Sequence, residues 1–96
     1  MVFCANPSRS VWRFGERSKL FSVQDATIAS AYAQLAVCAL GLSTVWVGLF
    51  DEEKVSVILS LTKDDRPVAI LSIGYANGNP KEKTERGPNN LLQIIT

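Results

Sequence analysis

A long uncharged run occupies the middle of the chain, because Ala26 to Phe50 contains no Asp, Glu, Lys or Arg. A membrane-spanning helix needs about 20 consecutive, mostly apolar residues, so the run has to be tested against that alternative. Polar side chains recur within it, and Gly41 interrupts it after about four helical turns. We therefore expect two elements and no membrane span: a helix over Val23–Leu40 and a strand over Thr44–Phe50.

The expected helix has clear signals at both ends. Ser22 is a favourable N-cap residue, and Asp25 follows three positions later, as in a capping box with Asp in place of Glu. Gly41 would supply the left-handed C-terminal cap. Small side chains let other backbones approach closely, so we expect this helix to be central and packed on all sides. It carries six alanines: Ala26, Ala29, Ala31, Ala33, Ala36 and Ala39.

Two shorter patterns precede and follow this central region. Val2–Ala5 is a short apolar run closed by Asn6-Pro7, which predicts a buried strand, whereas residues 8–21 have no clean period and predict an irregular excursion. Asp51 is expected to cap a second helix from Glu52 to about Ser60. The apolar residues of that helix should form its buried stripe; they are Val55, Ile58 and Leu59.

The last third of the chain predicts one more strand and a tail. Pro67–Tyr75 is a nearly continuous apolar run, which is typical of a strand buried on both faces. The order of strand, helix, strand, helix and strand predicts an α/β-type sheet with helices against it. Residues 77–96 begin with turn chemistry and end in the apolar segment Leu91–Ile95, which we expect to dock on a neighbouring subunit.

Composition limits the function classes. The chain has 96 residues, of which 47% are hydrophobic, and a mean hydropathy of +0.12. This is apolar for a single small domain, so we expect a partner to cover part of its surface. The absence of histidine excludes Ser-His-Asp and Cys-His catalysis. A net charge of +1 gives no general attraction to nucleic acid or to anionic membranes.

The two cysteines indicate a compartment rather than a disulfide framework. Cys4 and Cys38 both lie in apolar runs, and the sequence contains no CxxC motif. We interpret them as small buried hydrophobic residues in a reducing compartment, and therefore expect a cytoplasmic protein.

Three features could carry chemistry. The glycine-flanked strand over Gly41–Phe50 ends at a helix N-terminus, where backbone N–H groups suit an anion or an electron-rich heterocycle edge. Lys81, Lys83 and Arg86 follow the last strand and suit a phosphate. The third feature is the arginine-rich excursion from Arg9 to Lys19. The alternatives are an ordinary strand-to-helix turn, a solvated basic tail and solvated surface charge.

The ordered series of motifs resembles the second half of a nitroreductase-family flavoprotein. The matching segments run through the whole chain in order. They are Val2–Ala5, Tyr32–Ala36, Ala39–Gly48, Phe50–Val55, Pro67–Tyr75, Pro80-Lys81 and Arg86–Pro88. The resemblance implies an α+β, nitroreductase-like fold in one domain over residues 1–96, here a truncated three-layer arrangement of a sheet with helices.

The same resemblance implies a cofactor, a co-substrate and site residues. Members of the family form interlocked homodimers, bind FMN at the interface and use NAD(P)H to reduce nitro-compounds, quinones or related acceptors. By resemblance, the strand end formed by Trp46, Val47, Gly48 and Leu49 would lie against the isoalloxazine. Lys81, Lys83 and Arg86 would match the family's C-terminal phosphate ligands.

The chain departs from the family pattern in one respect, because it resembles only the second half. The family's first half also supplies groups that hold the FMN phosphate and ring. Two hypotheses follow. The chain is either a subunit or fragment of an FMN-dependent oxidoreductase, or a non-catalytic remnant that dimerises or pairs with another half. A flavin absorbance band in the purified protein distinguishes these hypotheses.

Overall fold

The computed structural model describes residues 1–78, and the elements follow one another with short connections. Three strands are present in this region: β1 (Val2–Ala5), β2 (Ser43–Val47) and β3 (Arg66–Gly74). The α-helices are α1 (Val11–Phe14), α2 (Arg17–Ala39) and α3 (Glu52–Ile58), with a 3₁₀ turn at Pro7–Arg9 between β1 and α1.

The strands form a single antiparallel sheet in which β3 is central. The order is β1-β3-β2, and both outer strands pair antiparallel with β3. The expectation of an α/β-type sheet is therefore wrong in its topology, and the α+β class is confirmed. Since β1 and β2 both oppose β3, they run in the same direction, and their carboxyl ends point toward the same end of the sheet. Ala5 ends opposite Arg66, and Val47 opposite Ile70.

Helix α2 packs on the sheet through one face. Its buried positions include Ala26, Ser30 and Val37, whose small or branched side chains allow close packing. The buried Ser30 hydroxyl donates to the Ala26 carbonyl oxygen at 2.7 Å, so burial leaves it hydrogen-bonded. Near the other end, Gln34 Nε2 donates to Thr44 Oγ1 at 3.3 Å and ties α2 to β2.

The prediction that α2 is packed on all sides is wrong. Ile28, Tyr32 and Leu35 are 53%, 69% and 67% exposed in the described chain. Their spacing of four and three residues places them on one stripe of the helix. Alanine spacing could not reveal this asymmetry, because which face is covered depends on the other elements.

The start of α2 also differs from the prediction. The helix begins at Arg17, six residues before the predicted Val23, and includes Ser22 as an interior residue. The Ser22 hydroxyl donates to the Lys19 carbonyl oxygen at 3.0 Å instead of capping the helix. The expected irregular excursion over residues 8–21 is therefore mostly helical. The break falls at Gly15, which has a φ of +58° and separates α1 from α2.

Helix α3 lies where it was predicted, but its apolar residues are more exposed than predicted. Asp51 caps α3 as expected, since its Oδ1 accepts from the Lys54 N–H at 3.1 Å. The predicted buried stripe of α3 is wrong: Val55 is half-buried, but Ile58 and Leu59 are 79% and 44% exposed. Helix α3 contacts β3, and the ion pair between Glu52 and Arg66 joins the two elements. This contact leaves the Ile58 and Leu59 side chains uncovered.

Strand β3 is covered on one face only, so the prediction of burial on both faces is wrong. Pro67, Ala69 and Leu71 are buried, whereas the alternating Val68 and Ile70 are half-buried. Strand β2 ends at Val47, three residues before the predicted Phe50, and the following residues leave the sheet. Among the described residues, no helix combines the length and hydropathy needed to cross a bilayer.

Candidate functional site

The end of β2 presents different side chains to the two faces of the sheet. Trp46 lies opposite Leu71 on β3, and Thr44, on the same face, accepts the hydrogen bond from α2. The Trp46 indole is therefore on the α2 side of the sheet and remains 37% exposed. Val47 points to the opposite face and is half-buried. The strand end thus places an aromatic ring beside the edge of the sheet.

Gly48 and Leu49 form the connection between β2 and α3. Among residues 1–78, neither donates a backbone hydrogen bond through its N–H. Leu49 is 96% exposed, so the two N–H groups lie in a segment that the described chain does not cover. A Cβ at Gly48 would lie 3.5 Å from Trp46 Nε1, which is ordinary van der Waals contact. Because Gly48 has no side chain, a ligand can approach these backbone N–H groups directly.

Among residues 1–78, the Glu52 and Glu53 N–H groups at the N-terminus of α3 have no hydrogen-bond acceptor, so free donors are present there as expected from the sequence. The Asp51 carboxylate already accepts from the Lys54 N–H, and Glu52 and Glu53 occupy the first turn. These three carboxylates disfavour an anion at that position. The Gly48 and Leu49 N–H groups lie before the helix, away from its first turn, and they suit a neutral or electron-rich acceptor better than a phosphate.

Polar contacts hold three neighbouring segments together: the end of β1, the start of β3 and the start of α3. Asp65 accepts from Asn6 Nδ2 and from Thr62 Oγ1, both at 3.0 Å, which joins the end of β1 to the loop before β3. Arg66 and Glu52 form an ion pair at 3.1 Å that joins the start of β3 to α3. These contacts fix the surroundings of the β2 end without occupying it.

Of the seven candidate residues, four lie in the described chain. Trp46, Val47, Gly48 and Leu49 are consecutive, and the structure places them together at the end of β2. Lys81, Lys83 and Arg86 lie outside the described residues, as does most of the segment 77–96. Within residues 1–78, no group of acidic, cysteine or histidine side chains could hold a metal ion.

Sequence reasoning missed a side-chain cluster in the arginine-rich segment. Arg13 lies over the Phe14 ring at 5.3 Å, and Arg17 lies over the Phe21 ring at 5.2 Å. The two rings meet edge to face, with centroids 5.3 Å apart and an interplanar angle of 84°. The spacing of two arginines four residues apart was visible in the sequence, but Gly15 between them hid the shared face.

Comparison with known proteins identifies the family. The sequence model of the nitroreductase family matches residues 1–75, which is most of the chain. The chain belongs to the nitroreductase family. Over 64 residues it is 38% identical to the "Putative NADH dehydrogenase/NAD(P)H nitroreductase" of Methanothermobacter thermautotrophicus. That match covers 62% of this chain and 34% of the relative.

Solved structures agree with this membership. A nitroreductase family protein from Streptococcus pneumoniae has a TM-score of 0.77 at 17% identity, covering 91% of this chain and 44% of that one. A "putative nitroreductase" from Ralstonia eutropha has a TM-score of 0.70 at 27% identity, covering 81% and 37%. The nitroreductase-like α+β fold is therefore confirmed. The chain spans less than half the length of each of these proteins.

Proposed function

We propose that the chain contributes half of an FMN-binding oxidoreductase site of the nitroreductase type. The observation that carries the proposal is that the backbone N–H groups of Gly48 and Leu49 have no acceptor among residues 1–78 and lie beside the exposed indole of Trp46. An isoalloxazine has acceptor atoms along one edge and an apolar ring system. These features fit two exposed donors next to an aromatic side chain.

In this proposal the residues present hold the flavin and tune its electronics. Gly48 and Leu49 N–H groups would face the N5/O4 edge, where donors stabilise negative charge on the reduced ring. Trp46 and Val47 would support the ring system from the end of β2. Lys81, Lys83 and Arg86 would bind the FMN phosphate. Bound FMN supplies hydride chemistry between NAD(P)H and a nitro-compound, quinone or similar acceptor.

The proposal requires further polypeptide surface, because the chain spans less than half the length of the family members it matches. A second copy of this chain or a chain carrying the other half would complete the pocket. The free thiols of Cys4 and Cys38 fit a reducing compartment, and the cytoplasm is the proposed location.

A non-catalytic role in association is the second candidate function. Many large apolar side chains in residues 1–78 are exposed, including Tyr32, Leu35 and Leu49. Such a surface suits a chain that pairs with a partner whether or not it binds flavin. The two functions differ in one measurable property, which is stoichiometric flavin binding in the assembled complex.

Replacing Gly48 with alanine tests the flavin site. The added methyl makes only ordinary contact with Trp46, so we expect the fold to be retained, but it would stand between the backbone donors and the ring. We expect FMN to bind about tenfold more weakly, which is the scale of losing one hydrogen bond. Absorbance titration of the chain together with its complementary half measures this change.

Gly74→Ala is the matched control for that titration. Gly74 lies at the other end of the β2–β3 pair and has no atom within 4 Å of its added Cβ. We expect its FMN affinity to equal that of the unaltered chain. Equal weakening by both substitutions would remove Gly48 from the site, and no flavin binding by the unaltered assembly would favour the non-catalytic role.

A further inference from the structure

The arginine-rich segment from Arg9 to Lys19, which includes α1 and the start of α2, has an excess of positive charge. Arg9, Arg13, Arg17 and Lys19 fall within eleven residues, against the single carboxylate of Glu16. Glu16 lies 3.7 Å from Lys19, in an exposed ion pair within one helical turn. The remaining guanidinium groups therefore contribute a local positive field that the net charge of the whole chain conceals.

Arg13 and Arg17 are held in place by aromatic rings. Their guanidinium carbons lie 5.3 and 5.2 Å from the centroids of Phe14 and Phe21, within the range of a cation–π interaction. Because the two rings also contact each other edge to face, the four side chains form one continuous cluster. A guanidinium stacked on a ring loses less conformational entropy when it binds a ligand than a free one does.

The hydrogen-bonding capacity of both guanidinium groups remains available. Stacking uses the face of the planar group, whereas its five N–H donors point outward in the plane. In the described part of the chain, neither Arg13 nor Arg17 forms an ion pair or donates a side-chain hydrogen bond. The ion pairs found there join Lys19 to Glu16 and Arg66 to Glu52. Planar, unpaired donors of this kind match the geometry of phosphate oxygens.

An exposed indole immediately precedes Arg13 in the sequence. Trp12 is 80% exposed, yet its Nε1 donates to the Arg9 carbonyl oxygen at 3.1 Å, which restrains the ring. A restrained and exposed aromatic face next to phosphate-binding donors is suited to stacking with a nucleobase. The chemistry of the cluster thus includes an anionic and an aromatic component.

We propose that Arg13 and Arg17 bind the diphosphate of a soluble nucleotide, whose base stacks on Trp12. The cluster follows β1 in the chain and spans α1 and the start of α2. The nicotinamide co-substrate is a nucleotide of this class. That last identification rests on the proposed function, whereas the diphosphate site itself does not.

Calorimetric titration with inorganic pyrophosphate tests the site in the 96-residue chain. Ionic strength is held constant, because exposed charges are screened by salt. We expect saturable binding that Arg13→Gln and Arg17→Gln each weaken about tenfold or more, as expected for losing hydrogen bonds to a charged group. Lys63→Gln, which removes a cation from the loop before β3, should leave the affinity unchanged.

Two further variants, Arg13→Lys and Trp12→Ala, test the geometry of the proposed site. Arg13→Lys keeps the charge but loses the planar group, and we expect an affinity between those of the unaltered chain and Arg13→Gln. ADP should bind more tightly than pyrophosphate, and Trp12→Ala should abolish this difference. Circular dichroism verifies that each variant keeps its helix content.

Several results would overturn the proposal. These are no saturable pyrophosphate binding, an equal loss in Lys63→Gln, full affinity in Arg13→Lys, or binding only to phosphatidylglycerol vesicles or to single-stranded oligonucleotides. A complete assembly that takes up no FMN but binds pyrophosphate through both arginines would contradict the proposed function and support the diphosphate site. The two proposals can therefore fail separately.

Discussion

Cys4 and Cys38 have different surroundings despite similar sequence contexts. Cys4 lies on β1 and is half-buried, whereas Cys38 is exposed in the last turn of α2, so the prediction that Cys38 is buried is wrong. Burial raises the pKa of the Cys4 thiol, and the negative charge of Asp65 raises this pKa further. The neutral thiol is thus favoured in the folded chain, which makes Cys4 a weak nucleophile near neutral pH.

Alkylation should therefore distinguish the two thiols. At pH 8 we expect iodoacetamide to modify Cys38 well before Cys4, as measured by mass spectrometry of proteolytic fragments. The rate at Cys4 should keep rising above about pH 8.5, the ordinary thiol pKa. Because the folded pKa is raised, the contribution of this group to stability is present below the unfolded pKa and lost as pH rises through the folded one.

Two comparisons check the cause of the difference between these thiols. In denaturant both cysteines should react at similar rates, because burial and the fixed position of Asp65 are lost. Asp65→Asn should speed the reaction of Cys4 in the folded chain and leave that of Cys38 unchanged. Equal rates for the two cysteines in the folded chain would contradict the assignment.

The C-terminus of α2 is closed by a Schellman motif. Gly41 has a φ of +80°, its N–H donates to the Cys38 carbonyl at 3.0 Å, and the Leu42 N–H donates to the Val37 carbonyl at 3.1 Å. This turn reverses the chain from the helix into β2. The left-handed backbone is easily adopted by glycine and is strained for residues with a Cβ.

Gly41→Ala should therefore destabilise the chain by about 1 kcal/mol. Nothing lies within 4 Å of the added methyl, so the effect isolates backbone conformation from steric overlap. Gly74→Ala is the matched control, since it also meets open space but has no positive φ. Urea unfolding of the three proteins measures the difference. A cost of the same size at both glycines would show that φ is not the cause.

Local chemistry accounts for the elements that were predicted correctly. Gly41 and Asp51 were found because a left-handed turn and an N-cap depend on a few adjacent residues. The start of α2 was missed because Ser22 resembles a cap, although nothing between Arg17 and Val23 breaks a helix. Burial of Ile58 was wrongly expected because helical spacing defines a stripe but does not identify the element that covers it.

The candidate site was predictable only in part. The position of Gly48 at the strand end came from a resemblance, because a glycine after a β-branched strand has no specific chemical signal of its own. That the Gly48 and Leu49 N–H groups have no acceptor among residues 1–78 could be established only from coordinates. The contact between Phe14 and Phe21 was also hidden in the sequence, since Gly15 breaks the helical period between them.

Residues 1–78 bury few large apolar side chains and leave many of them exposed. The described core contains five buried hydrophobic residues, and Leu71 is the largest of them. Many more large apolar side chains are exposed, among them the α2 stripe formed by Ile28, Tyr32 and Leu35. Covering such side chains is worth about 1.5–3 kcal/mol each when burial is complete, which favours association.

Leu35→Lys should weaken self-association of the chain. The side chain is 67% exposed, so the substitution has little effect on the separate chain, but a charge buried in an interface is costly. We expect sedimentation equilibrium to show a shift toward the monomer. Gln24→Lys places the same charge at another exposed position of α2 and should leave association unchanged. A compact monomer for the unaltered chain at high concentration would contradict this prediction.

The chain alone should be a poor flavin enzyme. Hydride transfer requires a nicotinamide stacked on a ring held in a fixed position, and this chain spans less than half the length of the family members it matches. Losing two or three polar contacts at about 1.5 kcal/mol each would weaken FMN binding by a factor on the order of 10²–10³. We therefore expect purification to remove FMN and NAD(P)H oxidation to be close to background.

Supplying the missing surface should restore both properties. Mixing the chain with the N-terminal half of a family member should give an FMN absorbance band at one flavin per site, together with NAD(P)H oxidation. Gly48→Ala in the same mixture should recover association but less flavin, which separates pocket completion from simple pairing. If the 96-residue chain alone formed a stoichiometric FMN complex with rapid turnover, its own residues would suffice to position the ring, and the need for a second half would be refuted.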